Sequence, residues 1–512
     1  MANKVQEHDK QVLHKLGYAQ ELSRRMSGFS NFAISFSIIC ILAGGISAFP
    51  AAFNAAGPGG AVVIWLIGGA LAMCVAFGMG QIASSFPTAG GLYHWSSHLG
   101  GKAWGWATAW FNLVGLICVV SSVDVLLYSV FFKDLLLGTV LGVDVSTFGY
   151  WHQFIFVALV MASQAMLNHY GIQVTTRLTD LSGYLILGLT VILIVALFAF
   201  SPVALDFSRL VTFTNFTGDA GGAVVPFRTE SIAFAFLLGL SYVCYTITGF
   251  DASAHTSEET QDAQVNVPKG MWQAVFWSWV FGLVAVAAYV LTMPSIEEAG
   301  AAGWGSFFYM WGASGMPFAL SLFLAIGLVV VNYLCALAGL TSTSRMMYAF
   351  ARDGGLPASQ ALASVSTQYR TPTYAIWTSA ALALLSTVYA PYYLVLAIAC
   401  AVFLYISMVM PIAAGLLAEG GPKWKEKGPF NLGAFSKINA VIAIIFGIVL
   451  AITGFFPPNE KVFYLTLGMV IIMPIVWYAF ERNRFEGVPQ GDKITQRQKM
   501  IAEIEKKYGE GD

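Results

Sequence analysis

The sequence predicts an all-α membrane protein of twelve transmembrane helices, on three observations. Of its 512 residues, 57% are apolar and only 10% charged, with a mean hydropathy of +0.70, outside the range of soluble domains. The chain divides into apolar runs of about 20 residues, the length that crosses a hydrocarbon core of roughly 30 Å. Basic residues collect in alternate connecting loops, as in a chain threaded back and forth through a bilayer. Soluble enzymes, nucleic-acid binders and disordered scaffolds are excluded together, because 26 basic and 27 acidic residues leave a net charge of -1 and no basic surface for phosphate.

The runs lie at 31–54, 60–84, 104–131, 150–168, 178–200, 230–254, 271–293, 317–345, 373–390, 392–416, 436–456 and 461–480. With both termini placed in the cytosol, twenty-two of the 26 basic residues fall on that side and only Lys133, Arg209, Arg228 and Lys461 on the other. A count wrong by one span would scramble this separation, so a multi-pass protein of the plasma or inner membrane is expected. The cytosolic segment 1–30 carries Lys4, Lys10, Lys15, Arg24 and Arg25 without the apolar stretch of a cleaved leader. The tail 481–512 mixes Lys, Arg and Glu, as in Ile501-Ala-Glu-Ile-Glu-Lys-Lys507, and reads as a solvated segment more readily than as a surface helix. All six cysteines lie inside apolar runs and are expected to be buried thiols rather than disulfides.

Within a lipid-embedded helix every backbone group needs a partner, so clustered glycines with a nearby proline require a reason. The first span contains Ile41-Leu-Ala-Gly44-Gly45-Ile-Ser47-Ala-Phe-Pro50, and the sixth contains Tyr245-Thr246-Ile-Thr248-Gly249-Phe-Asp251-Ala-Ser253. Each opens a five-span half, 31–200 or 230–416, with two further spans at 436–480. Matched interruptions of this kind point to a transporter built of inverted repeats, with its substrate between the broken helices. Close helix packing is the plainer use of such glycines. If both spans unwind, the amides of Gly44, Gly45 and Ile46 face a carboxylate with a positive helix dipole behind them. The carbonyls of Ile41, Tyr245 and Thr248, beside Gly249, then accept from an ammonium. A valine at Gly45 is expected to block such a site.

Four segments carry a resemblance to a known family: Ala43-Gly-Gly-Ile-Ser-Ala-Phe-Pro50, Gln81-Ile-Ala-Ser-Ser-Phe-Pro-Thr-Ala-Gly-Gly-Leu-Tyr-His-Trp95, Thr248-Gly-Phe-Asp-Ala-Ser-Ala-His-Thr-Ser-Glu-Glu259 and Ser344-Arg-Met-Met-Tyr-Ala-Phe-Ala-Arg-Asp-Gly-Gly-Leu-Pro357. In these the sequence resembles the amino acid-polyamine-organocation permeases, and among them the amino acid/choline branch that includes GABA permeases. The resemblance implies a leucine-transporter-like fold of two inverted five-helix repeats plus two helices, working by alternating access. It implies a secondary transporter, not an enzyme, for GABA or another ω-amino or neutral amino acid. Choline or a polyamine is the alternative substrate, and a transporter-like receptor or a passive channel the alternative class. By the same likeness Gly44 and Gly45 bind the substrate carboxylate, Tyr245 is an aromatic gate, and Asp251 joins the gating hydrogen bonds; capping the second half-helix is its simpler role.

No cofactor is implied beyond a coupling Na+ or H+. The eighth span holds Ala338-Gly-Leu-Thr341-Ser342, similar to the sodium-site segment of sodium-coupled neurotransmitter transporters. Its two hydroxyls with the carbonyls of Ile39, Leu42 and Ala338 make a candidate five-oxygen shell, although such hydroxyls commonly bond back to their own helix. For a proton route, Asp124, Asp180 and His255 are available. Asp124, inside the third span, is a ligand for the amino end of the substrate, a proton carrier, or a partner for a neighbouring helix. His94 and His98 have a metal-ligand spacing but no acidic or cysteine neighbour, which favours packing on a loop helix. No GxxxxGK[ST] segment is present, so transport is expected to be secondary rather than ATP-driven.

Overall fold

A computed structural model describes residues 2–218, 224–390, 392–457 and 459–507. Among these residues all regular structure is helical apart from two isolated bridges. The first part of the chain forms α1 (Ala2–Lys15), α2 (Gly28–Ile39), α3 (Ile41–Ser85), α4 (Gly91–Gly100), α5 (Lys102–Leu126, continued as a π-helix over Leu127–Val140), α6 (Tyr150–His169) and α7 (Ile172–Ala199). After a loop follow α8 (Ile232–Thr246), α9 (Ala252–His255), α10 (Ala263–Thr292), the short α11 (Ile296–Ala301) and α12 (Ser306–Ala313), and α13 (Phe318–Arg352). The chain continues through α14 (Ser359–Leu362), α15 (Thr373–Tyr389), α16 (Tyr393–Ala418), α17 (Ser436–Thr453), α18 (Glu460–Val476), α19 (Arg482–Arg484) and α20 (Asp492–Lys506).

Nine helical stretches among the described residues are long and apolar enough to cross a membrane. The expected first and second spans fall in one 58-residue stretch, Gly28–Ser85. It bends at Gly57, whose φ of 76° lies in the left-handed region that glycine tolerates. A loop strand fills the groups freed there: Thr214 N donates to Ala56 O, Phe216 N to Asn54 O and Gly59 N to Thr212 O. The expected sixth span is represented by α8, whose 15 residues reach about 22 Å at 1.5 Å per residue, short of the hydrocarbon core. The expected ninth, α15, has 17 residues.

The core is built on α3, which packs against α8 and α10, and on α5, which packs against α16 and α13. α18 lies on the outside, with Leu467, Val470, Ile471 and Ile475 exposed, an apolar face suited to lipid. The cysteines are all free thiols, five buried and Cys74 half-buried.

The tail differs from expectation. Residues 492–506 form α20, a largely exposed surface helix anchored by the buried Ile501; residues 508–512 lie outside the described part. Glu505 binds Lys10 Nζ at 2.8 Å and His14 Nε2 at 2.7 Å on α1, and Arg497 binds Asp353 at 3.0 Å. Charge mixing that looked solvated is a set of specific partners on α1 and at the end of α13.

Candidate functional site

Two helices are interrupted, and the first break is not where the glycines suggested. α2 ends at Ile39, Cys40 takes the left-handed conformation (φ 38°, ψ 71°), and α3 starts at Ile41. A non-glycine residue there is uncommon and strained, a feature that clusters at functional sites. Gly44 is already helical, its amide donating to Cys40 O at 2.9 Å. The expectation that Gly44, Gly45 and Ile46 present free amides is therefore corrected: helix geometry leaves the amides of Ile41, Leu42 and Ala43 unpaired. Ile41 lies past the break and contributes an amide rather than the expected carbonyl.

The second break is where the sequence placed it. α8 ends at Thr246, Gly249 has φ 79°, and helix resumes at Ala252. The Ile247 carbonyl accepts from Tyr405 Oη at 2.8 Å and the Phe250 carbonyl from Ser35 Oγ at 2.9 Å. The hydroxyls of Thr246 and Thr248 are buried without a partner.

Glycine is needed here because the breaks touch each other. A Cβ on Gly44 would lie 2.7 Å from Thr246 Cγ2, and one on Gly249 would lie 2.3 Å from Ile38 Cγ2. Each break thus holds a glycine against the other, reciprocally. Gly45 has only Trp65 in reach, at 3.8 Å. Between the breaks lies a cavity of about 20 Å³, lined among others by Ile39, Cys40, Ala43, Gly44, Tyr245 and Thr248. Beyond the first turn of α3, a vestibule of about 350 Å³ bounded by Ile46, Ser47, Pro50, Asp134 and Trp304 leads toward one face of the bundle.

Tyr245 lines the small cavity, and its hydroxyl lies 3.1 Å from Ser122 Oγ on α5. Asp251 is fully buried and makes no capping bond, which corrects the simpler role considered for it. It accepts instead from Asn112 Nδ2 at 3.0 Å and lies 3.3 Å from His255 Nε2, while Asn112 also reaches Ser407 Oγ on α16 at 3.2 Å. The carboxylate therefore ties the second break to α5 and α16. Asp124 does not line the small cavity; it accepts from Gln164 Nε2 of α6 at 2.9 Å, and its second oxygen is buried without a partner.

The candidate sodium ligands are partly committed to other partners. Thr341 Oγ1 sits 2.7 Å from Asn168 Oδ1 on α6 and 3.0 Å from its own Leu337 carbonyl, while Ser342 Oγ is buried without a partner. Leu42 and Ala338 lie inside α3 and α13, where their carbonyls serve the helix ladder, which leaves only Ile39 at a helix end. His94 and His98 stack at 6.2 Å on the loop helix α4, with the His98 ring bonded to Lys423 O. Burial holds the His94 imidazole well below its usual range.

Sequence reading missed the closure at the end that carries Lys102, Arg345, Arg352 and Arg482, called here the basic end. Arg345 and Glu259 form a two-bonded pair, each bond 3.0 Å, with both side chains fully buried. Arg352 binds Glu258 through bonds of 2.9 and 3.1 Å, and Glu258 also accepts from the Ala89 amide at 3.0 Å. The signal was present: two adjacent carboxylates in one family-like segment, and two arginines seven apart, hence on one helix face, in another. Below these pairs Asp353 accepts from Tyr18 and Tyr93 at 2.8 and 3.1 Å. Burial and the neighbouring Asp353 carboxylate raise both phenols well above the usual range, so both stay protonated donors.

Fold and site together define a class: a multi-pass helical membrane protein in which two interrupted helices cross beside a small, mostly apolar cavity, with a separate vestibule and a set of buried ion pairs at the basic end. The chain belongs to the amino acid permease family, whose model matches residues 26–480. It is 32% identical over 509 residues to amino-acid permease BAT1 of Arabidopsis thaliana, covering 93% of this chain and 95% of that protein. To the BAT1 homolog of Oryza sativa subsp. japonica it is 31% identical over 503 residues, covering 93% and 94%. To the GABA-specific permease of Saccharomyces cerevisiae it is 27% identical over 382 residues, covering 72% and 64%. The resemblance in the four segments thus holds over nearly the whole chain, and the protein is an amino acid permease of the amino acid-polyamine-organocation superfamily, a transporter and not an enzyme.

Proposed function

We propose that this permease moves GABA or another small ω-amino or neutral amino acid by alternating access, binding its carboxylate at the start of α3 and its ammonium at the end of α8. The observation that carries this reading is the reciprocal glycine contact of the two breaks, which sets three unpaired amides (Ile41, Leu42, Ala43) opposite the end of α8 and the unpartnered hydroxyls of Thr246 and Thr248. Amides at a helix start favour an anion, and carbonyls at a helix end favour a cation, so a zwitterion suits the pair. A cavity of about 20 Å³ holds roughly one water, so substrate enters only as the two halves move apart. The yeast GABA-specific relative favours an ω-amino acid.

In this reading the chain crosses the plasma or inner membrane twelve times. The stretch Gly28–Ser85 counts as two spans, and α8 with its broken continuation as one. Residues 31–200 and 230–416 are the inverted repeats, both termini are cytosolic, and the vestibule faces outward. Choline and polyamines are disfavoured, since Asp124 is directed toward Gln164 rather than the cavity.

Uptake of labelled GABA, neutral amino acids and choline into proteoliposomes, with sodium and pH gradients imposed separately, tests the reading. Saturable uptake of an amino acid and none of choline is expected. Because Thr341 is committed to Asn168 and Leu337, uptake is also expected to proceed without sodium. Sodium-dependent uptake that disappears on replacing Thr341→Ala together with Ser342→Ala would restore the sodium shell and sink this expectation.

A further inference from the structure

Among the described residues four carboxylates have no exposed surface, and three of them face a cation or an imidazole: Glu258 with Arg352, Glu259 with Arg345 and Asp251 with His255. Asp124 on α5 faces neither. Its Oδ1 accepts from Gln164 Nε2 at 2.9 Å, and its Oδ2 is buried without a partner. A second acceptor, the Tyr333 carbonyl at 3.3 Å, holds the Gln164 nitrogen in that orientation and leaves Gln164 Oε1 buried and unpaired. Asn332 Oδ1 is likewise unpaired, while Asn332 Nδ2 donates at 2.9 Å to the carbonyl of Val123, the residue before Asp124. All three orphaned atoms are acceptors, so the cluster is short of a donor. One proton on Asp124 supplies it, turning a carboxylate with a single hydrogen bond and no counter-charge into a neutral acid that donates. The titratable groups that face Asp124 are Tyr333 and Cys335, both on α13; among the described residues α6, α15 and α16 bring no charged group to it.

We propose that Asp124 is the site at which this permease takes up and releases a proton, with Gln164 as the residue that holds its ionised form. Coupling rests on the transport function proposed above, and the link to the substrate is short. Val123 and Asn332 both line the cavity between the breaks, and Ser122, two residues before Asp124, lies 3.1 Å from the Tyr245 hydroxyl. That cavity, of about 20 Å³, has room for roughly one water. Substrate between the breaks displaces the water that would solvate an ionised Asp124, so the loaded protein closes with the acid neutral. Without substrate, water takes that place and the ionised form returns. The proton is therefore taken from water at one face and given to water at the other together with the substrate. Sodium suits the cluster less well, because hard cations take oxygen ligands and Gln164 turns its nitrogen to the carboxylate.

The test uses the full chain in proteoliposomes that hold a pH-sensitive dye, with the membrane potential clamped at zero. Counterflow of labelled against unlabelled amino acid, at equal pH on both sides, first establishes transport. With the outside one pH unit more acidic, the unaltered protein is expected to accumulate the same amino acid about tenfold, as one proton per substrate requires, and to acidify the lumen. Asp124→Asn, isosteric and permanently neutral, is expected to lose accumulation and acidification, while counterflow, which needs no net proton movement, falls far less. Asp124→Glu is expected to restore part of both. Gln164→Leu removes the donor that favours the ionised acid, so the midpoint of the pH profile of accumulation is expected to move to higher pH. Accumulation and acidification that survive in Asp124→Asn, or an unmoved midpoint in Gln164→Leu, would overturn the proton site. So would transport by the unaltered protein without acidification, or accumulation that requires sodium in place of the pH gradient. Absence of counterflow by the unaltered protein would instead bring down the transport function itself, and the proton site with it.

Discussion

Valine in place of Gly44 will abolish amino acid uptake while leaving the permease folded, and alanine there will reduce uptake roughly tenfold, in line with an overpacking cost of about 1–3 kcal/mol. The reason is local. A Cβ on Gly44 lands 2.7 Å from Thr246 Cγ2, closer than real atoms tolerate, and a tight 3.1 Å from Thr246 Cβ, at the point where the two interrupted helices cross. The added atom must push the start of α3 away from the end of α8, separating the groups proposed to hold the two ends of the substrate. Gly45→Ala serves as the comparison: its Cβ meets only Trp65 at 3.8 Å, and alanine in place of glycine favours a helix by about 1 kcal/mol. Its uptake is expected to stay near that of the unaltered protein. Thr246→Ala removes the clashing atoms, so combining it with Gly44→Ala is expected to recover part of the lost uptake. Uptake measured with size-exclusion profiles decides the matter: equal uptake by Gly44→Val and the unaltered chain would end the assignment of substrate to this crossing.

That comparison also shows where the sequence is legible and where it is not. Composition and the length of the apolar runs are enough to declare a helical membrane protein, because hydrocarbon leaves the backbone little alternative. The second break was legible at Gly249 because two requirements coincide there, a φ of 79° and the approach of Ile38. At the first break the requirements separate. Cys40 carries the left-handed conformation with no sequence signature, whereas Gly44 marks the close approach four residues later. Glycine was read as unwinding when it signalled contact. Asp251 was legible as a carboxylate just past the second break, yet its partner Asn112, and Ser407 bonded in turn to Asn112, lie 139 and 156 positions away in sequence, and only the packing of α5 and α16 beside α9 reveals them. Thr341 and Ser342 matched a sodium-site pattern, but the rotation of α13 that turns Thr341 toward Asn168 is a tertiary fact.

Removing one partner of the Arg345–Glu259 pair will cause the largest loss of stability of any single substitution considered for this protein. Both side chains are fully buried and joined by two bonds of 3.0 Å. Glu259→Gln leaves a guanidinium without its counter-charge, which typically costs about 3–5 kcal/mol, so the thermal midpoint in detergent is expected to fall steeply. The exposed pair Lys493–Glu486, at 3.2 Å, is the control; its loss is expected to cost about 0–1 kcal/mol. Stability and gating are then separated by replacing both partners with methionine, since a buried ion pair exchanged for apolar groups of similar volume is often neutral. The Glu259→Met, Arg345→Met protein is expected to regain most of the lost midpoint yet not the uptake. The reason lies in what the pair connects: Glu259 follows the second break through α9, and Arg345 belongs to α13, so the bond joins the segment after the break to a long neighbouring helix at the basic end. Under the proposed alternating access that bond forms in one state and yields in another, and methionines that pack equally well in both states supply no such difference. A doubly substituted protein with full uptake would make the pair a structural clamp only, and an unchanged midpoint in Glu259→Gln would remove even that role.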